Sequence, residues 1–295
     1  MRLLTRIRSY AVIVPLAVSL CGMSAEAGIV GSIFLTGHDP DFHAFAGGNT
    51  AGAAQINVDA INFVTDPSFN TFSQEGIKKF LYVTSSIVPP AGHVDGTNGL
   101  LSSGYVLGTD FDRADASTLV SALGKLGTTY DALVIASDYG GILTQAELDI
   151  LDAHSGDIIN FLNKGGGIYA MAESDSGAGL TPNGGFFGYL PFVISSAQKN
   201  QSEVGVHVTL FGSSLGLTDA DVNGNASHNI FTGTGGLSVV DYDSSGAILS
   251  LAGRGAVTST GLAPEPASIC LVAAGLLILG FAWKRRSTLP PPKSS

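Results

Sequence analysis

The stretch "DALVIAS", Asp131 to Ser137, decides the fold. After one aspartate it places Ala132, Leu133, Val134, Ile135 and Ala136 in unbroken succession. A strand with one wet face would interleave polar residues, so a short continuous apolar run reads as a strand buried on both faces, as in a parallel sheet. The residues that follow agree. Thr144-Gln145-Ala146-Glu147 is a capping box, in which the threonine and the glutamate satisfy backbone N–H groups at the start of a helix. Leu148, Leu151, Ile158, Phe161 and Leu162 give that helix its apolar face, Gly156 predicts a break or kink within it, and Gly165-Gly166-Gly167 ends it. A further strand, "GIYAMAE" at Gly167 to Glu173, completes a strand–helix–strand unit.

The same alternation extends outward. "IVGSIFL", Ile29 to Leu35, and "KFLYVTSS", Lys79 to Ser86, read as strands on either side of a helix over Ala51 to Phe63, whose buried face is Ala54, Ile56, Ala60, Ile61 and Phe63. The Gly- and Pro-rich stretch Ile87 to Asp112 holds a short strand at Tyr105 to Gly108, and Asp115 or Ser117 caps a helix over Thr118 to Leu126. Later, "FFGYLPFVIS", "GVHVTL", "LSVVDY" and "AILSLA" read as strands. The expected architecture is a single α/β domain over residues 28–258 with a doubly wound, mostly parallel sheet.

Both ends carry a different signal. Arg2, Arg6 and Arg8, the apolar run Tyr10 to Leu20, and small residues at Ala25 and Ala27 form a signal peptide over residues 1–27, cut after Ala27. Leu20 before Cys21 is too large for a lipoprotein signal. Near the other end, the seventeen residues Ala267 to Trp283 contain no charge. As a helix they rise about 25 Å, at the short end of what spans a hydrocarbon core. Trp283 and the basic Lys284, Arg285 and Arg286 mark the cytoplasmic side, residues 259–266 form a linker, and 284–295 a basic tail. Such a helix is either a retained anchor or an address that is read and removed.

Pro264-Glu265-Pro266, the apolar helix and Lys284-Arg285-Arg286, in that order, resemble the PEP-CTERM protein-sorting signal of Gram-negative bacteria; the polar tail "STLPPPKSS" is longer than usual there. The resemblance implies recognition by an exosortase, a membrane cysteine peptidase that cleaves near the Pro-Glu-Pro and passes the protein outward, often in bacteria that make extracellular polysaccharide. It favours the removed address. Signal peptidase and exosortase are then the partners during export, the membrane is a transient one through the C-terminal helix, and extracellular polysaccharide is a candidate partner afterwards. The protein ends at the cell surface or outside the cell.

Setting both signals aside changes the charge of the body. Removing Arg2, Arg6, Arg8 and Glu26 at the front, and Glu265, Lys284, Arg285, Arg286 and Lys293 at the back, leaves seven basic against 22 acidic side chains over Gly28 to Ala263. That balance repels nucleic acid and anionic lipid. The two cysteines, Cys21 and Cys270, lie in the segments to be removed, so the exported body has no disulfide, no thiolate metal site and no cysteine nucleophile.

In an open parallel sheet, ligands bind outside the carboxyl ends of the strands. Those ends carry His38 and Asp39, Asp138 and Tyr139, and Glu173, Ser174 and Asp175. His38, Asp39, Asp138 and Tyr139 are the candidate ligand pocket. In "GHDPDFHAF", His38, Asp41 and His43 supply imidazole and carboxylate, the ligands left to a metal when thiolates are absent, and a divalent metal is the one cofactor these residues would hold. The competing reading of the same stretch is a solvated Asp-Pro turn. "DADVNGN", Asp219 to Asn225, looks like part of a calcium loop but has Ile230 where the closing glutamate belongs, and reads as a polar loop. His93, His154 and His207 have no partner legible in the sequence, and His154 and His207 read as structural.

Three features of the body resemble the class I glutamine amidotransferase-like superfamily, including its trehalose-utilisation-type branch. They are the strand ending in Gly37-His38-Asp39, the succession from "ASDYGG" at Ala136 to Gly141 through the capped helix to "NKGGGIYAMAES" at Asn163 to Ser174, and "SHNIFTG" at Ser227 to Gly233. The resemblance implies a flavodoxin-like fold and a nucleophile on the turn that here reads Ala172-Glu173-Ser174-Asp175. No thiol stands there, which excludes the superfamily's usual glutamine hydrolysis. A catalytic version would need Ser174 as nucleophile, His228 as its base and Glu173 beside them. Two functions follow. The leading one is a non-catalytic binding or structural protein outside the cell; the rival is a serine- or metal-dependent hydrolase or other sugar-related enzyme.

Overall fold

Four short strands, each buried along its whole length, carry the centre of the molecule, as the unbroken apolar runs require. The computed structural model describes residues 30–85, 95–138, 142–174, 179–202 and 205–255, which fall within one compact unit, Glu26–Gly261. The signal peptide over 1–27, the linker from 259, the sorting helix over 267–283 and the tail over 284–295 lie outside the described residues. Among the described residues, no helix is long and apolar enough to cross a membrane.

Strand β1 (Ser32–Thr36) leads into the single turn α1 (Pro40–His43), then α2 (Thr50–Thr65) and α3 (Thr71–Gln74). Next come β2 (Phe80–Val83), α4 (Thr97–Ser102), β3 (Phe111–Ala114), α5 (Leu119–Leu123), β4 (Ala132–Ile135), α6 (Gln145–Ala153), α7 (Ser155–Asn163) and β5 (Gly167–Ala170). The last part is β6 (Ser195–Ser202), β7 (His207–Val208), α8 (Leu210–Ser214), β8 (Ala226–Gly233), β9 (Ser238–Tyr242) and β10 (Ile248–Arg254).

These strands form one ten-stranded sheet whose main path runs β3-β2-β4-β5-β1-β10-β8-β6, with β9 also on β10 and β7 on β9. The five strands from β3 to β1 are parallel. From β10 onward every pairing is antiparallel. The sheet is therefore mixed, a correction to the mostly parallel sheet expected from sequence. The physical reason is the short connections late in the chain. Between β9 and β10, Asp243 Oδ1 accepts from the N–H groups of Ser245 and Ala247, both at 2.9 Å, and a turn that tight joins only antiparallel neighbours.

Packing fixes the strand that matters most. Phe34 of β1 lies beside Tyr169 of β5 in register, and their rings meet edge-on at 5.6 Å, with Phe63 of α2 at 6.3 Å. Helix α2 packs across β1, β5 and β4. Its start is capped by Asn49, which accepts from Gly52 N–H at 3.0 Å. In its middle, buried Asn57 accepts from the Tyr169 hydroxyl at 3.0 Å and donates to the Pro40 carbonyl at 3.0 Å, tying α1 to the sheet.

Some elements depart from expectation. The long helix breaks as expected, but at His154, between α6 and α7, two residues before Gly156. Tyr105 to Gly108 contributes only an isolated bridge from Leu107 to Phe111, and the strand itself is β3. "FFGYLPFVIS" is irregular up to Ile194; Gly185 and Phe187 have positive φ and Pro191 cannot donate to a ladder, so the segment turns instead of extending.

Candidate functional site

Because β4, β5 and β1 are adjacent and parallel, the segments leaving their carboxyl ends emerge side by side. A backbone ladder continues beyond the strands: Asp138 N–H donates to Ala172 O at 2.7 Å, Ala172 N–H to His38 O at 3.3 Å, and His228 N–H to Gly37 O at 2.8 Å. Gly37 is required for the last step. A Cβ there would stand 1.8 Å from the carbonyl oxygen of Asn229. The loop after β1, the turn after β5 and the start of β8 are thus held as one rigid floor.

The side chains on that floor are buried. His38 Nε2 lies 3.0 Å from Asp241 Oδ2. The Asp39 carboxylate, with no exposed surface, faces two imidazoles: Oδ1 is 3.4 Å from His43 Nε2 and Oδ2 is 3.3 Å from His228 Nε2. Asp41 turns the other way, accepting from Ser137 N–H and Oγ, both at 2.8 Å, and from the Tyr82 hydroxyl at 3.2 Å. Burial, with Asp39 as a like-charged neighbour, pushes the Asp41 carboxyl up to about 6 despite those hydrogen bonds.

After β5, Glu173 is enclosed. It accepts from the Tyr189 hydroxyl and, at 2.8 Å, from Phe187 N–H, while its own N–H donates to Asn229 Oδ1 at 3.1 Å. Burial raises its pKa to about 8. Phe187 holds a positive φ of 57°, the one non-glycine among the described residues that does, so local backbone strain accompanies the closing of this turn. Ser174 is buried and its Oγ has no hydrogen-bond partner among the described residues. Asp138 is fully buried at the end of β4. Tyr139 and Asp175 lie outside the described residues, as does His93.

Of the residues singled out from sequence, the structure therefore brings His38, Asp39, Asp138, Glu173, Ser174 and His228 to one end of the sheet. Asp39, His43 and His228 present ligand atoms within 4.8 Å of one another. His38 and Asp41 stand outside that trio, engaged by Asp241 and by Ser137 with Tyr82. Among the described residues, no hydrogen bond joins Ser174 Oγ to an imidazole. The Asp219–Asn225 loop uses its side chains to staple neighbouring backbone: Asp219 accepts from Val208 N–H, Asn223 donates to Val206 O, and Asn225 bonds Asn49 in both directions. His154 pairs with Asp157 and His207 with Asp219, both near the surface. Sequence reasoning missed Asp241, Asn229 and Tyr189. An aspartate inside the apolar alternation of "LSVVDY" is the one signal that marks any of them, since a carboxylate on a strand's inner face must find a partner.

The PEP-CTERM protein-sorting motif matches residues 262–286, a span that contains Pro264, Glu265, Pro266, Lys284, Arg285 and Arg286. The chain carries that motif, which marks it as an exosortase-sorted, exported protein bound for the cell surface or the exterior. No curated protein and no solved structure matches the chain. The likeness of the body to amidotransferase-like domains thus rests on the residues quoted for it.

Proposed function

We propose that this protein works at the cell surface or in the surrounding polysaccharide matrix, released by cleavage near Pro264–Pro266 after brief anchoring through its C-terminal helix, and that its α/β domain acts by binding and not by catalysis. The domain is read as amidotransferase-like in plan but without the superfamily's chemistry. The observation that carries this reading is the state of the turn after β5. Glu173 is sealed under Tyr189 and Phe187, and among the described residues the adjacent Ser174 Oγ has no hydrogen bond to a base of the kind a nucleophilic serine uses. The strongly acidic body suits a protein that stays dissolved among neutral glycans and repels anionic polymers.

The exported protein, incubated with soluble glycans, should gain thermal stability with at least one of them by mass action. It should show no turnover of ester, amide or glycoside substrates. Turnover that disappears in S174A or H228A would replace this reading with the hydrolase one.

A further inference from the structure

We propose that Asp39, His43 and His228 bind one divalent transition-metal cation, and that zinc is the ion their chemistry suits. Three independent features of the geometry lead there.

The first is spacing. Four ligands about 2.0–2.2 Å from a tetrahedral zinc ion stand about 3.3–3.6 Å apart. The two imidazole nitrogens lie 3.4 Å and 3.3 Å from the two oxygens of the Asp39 carboxylate between them. These separations are long for hydrogen bonds to a carboxylate, which close to about 2.7–2.9 Å when charge assists them. Each matches the length of one edge of a coordination tetrahedron, and one ligand atom from each of the three residues lies within 4.8 Å of the others.

The second is the proton on His43. Its Nδ1 lies 3.1 Å from the Ala46 carbonyl oxygen, which can only accept, so Nδ1 carries the hydrogen. With Nδ1 so held, Nε2 faces a carboxylate oxygen that is wholly buried and has no hydrogen bond among the described residues. The pair calls for a cation between the two atoms, a proton on Nε2 or a metal ion, and the 3.4 Å separation is longer than a shared proton gives. A backbone carbonyl holding the far nitrogen of an imidazole is also the second-shell arrangement that orients metal-ligating histidines.

The third is access. The His43 side chain keeps 14% of its surface exposed, whereas those of Asp39 and His228 keep 0% and 3%, so an ion enters past His43. Against Asp39 and His43 lies a pocket of about 10 Å³, lined also by His38, Asp221 and Asn225 among others, room for about one water as a fourth ligand. Two nitrogens and one carboxylate disfavour calcium and magnesium, which take oxygen-rich shells. The site stands whether or not the domain binds glycans.

The test uses the full chain, stripped with a chelator and titrated with zinc chloride by calorimetry, with magnesium and calcium chloride as controls. One equivalent of zinc should bind and raise the Tm, and neither control ion should do so. Cobalt(II) in place of zinc should give the intense visible absorption of a tetrahedral site. H43A, at the rim, should match the stripped wild type in Tm yet lose the zinc response, whereas H207A should keep it. Should H43A fail to fold, the wild-type cobalt spectrum decides alone. Absence of stoichiometric zinc uptake by the wild type, an octahedral cobalt spectrum, or unchanged uptake in a folded H43A overturns the proposal.

Discussion

His38 Nε2 stands 3.0 Å from Asp241 Oδ2, with both residues buried, so the loop that leaves β1, the last of the parallel strands, is fastened to β9 in the antiparallel half. Removing either partner takes a hydrogen bond from a side chain that water does not reach. D241A should therefore cost about 1–3 kcal/mol, the range for a buried polar group that loses a partner. The double variant H38A/D241A should lose much less than the sum of the two single losses. Urea unfolding of the four proteins measures this coupling, and additive losses would show that the two side chains act separately.

Two glycine-to-alanine changes should have opposite signs. At Gly37 the added methyl meets the Asn229 carbonyl oxygen at 1.8 Å, and backbone on both sides cannot yield, so G37A should destabilise by about 3 kcal/mol or more. At Gly156, near the start of α7, a Cβ meets nothing within 4 Å. G156A should stabilise by up to about 1 kcal/mol through helix propensity alone. Thermal unfolding of the two variants side by side decides it.

Glu173 should impose a pH dependence that is the reverse of an ordinary surface carboxylate. Its carboxyl rises from 4.5 to about 8 on folding, because burial penalises the charge. Below pH 4.5 both states hold the proton and the group's stabilising contribution is fully present. Between 4.5 and 8 only the folded state holds it, so stability falls as pH rises, by up to about 1.4 kcal/mol per pH unit, and the contribution is gone above 8. Asp41 and Asp131, raised to about 6 by burial, act in the same direction but are exhausted near pH 6. Denaturant midpoints of wild type and E173Q at pH 6 and pH 8 should therefore diverge, with E173Q the less sensitive. Equal slopes would mean that Glu173 ionises in the folded protein as it does in water.

The centre of the fold was legible because burial on both faces writes itself as unbroken apolar runs: "SIFL", "FLYV", "ALVI" and "GIYA" all became strands. The edges were not. β3 reads "FDRA" and β6 reads "SSAQKNQS", and strands at a sheet's rim can be polar without penalty, so no pattern announces them. Conversely "FFGYLPFVIS" is apolar because it covers the end of β5, not because it extends a sheet. The candidate site divides in the same way. His38, Asp39, Asp138, Glu173 and Ser174 could be gathered from strand ends alone, since parallel neighbours must bring those ends together. That His43 reaches Asp39 follows from one turn of helix. Asp241 on His38, and Tyr189 and Phe187 over Glu173, depend on how the antiparallel half folds back, a long-range fact that local pattern does not encode.

The central claim, that this is an exported globule delivered by a C-terminal address which is then cut away, is tested most directly by the intact mass of the protein recovered from outside the producing cell. The account predicts a polypeptide that starts after Ala27 and ends near Pro264–Pro266, without the apolar helix or the basic tail. Recovery of a chain that still carries residues 267–295, or its confinement to the cytoplasm with both ends whole, would contradict it.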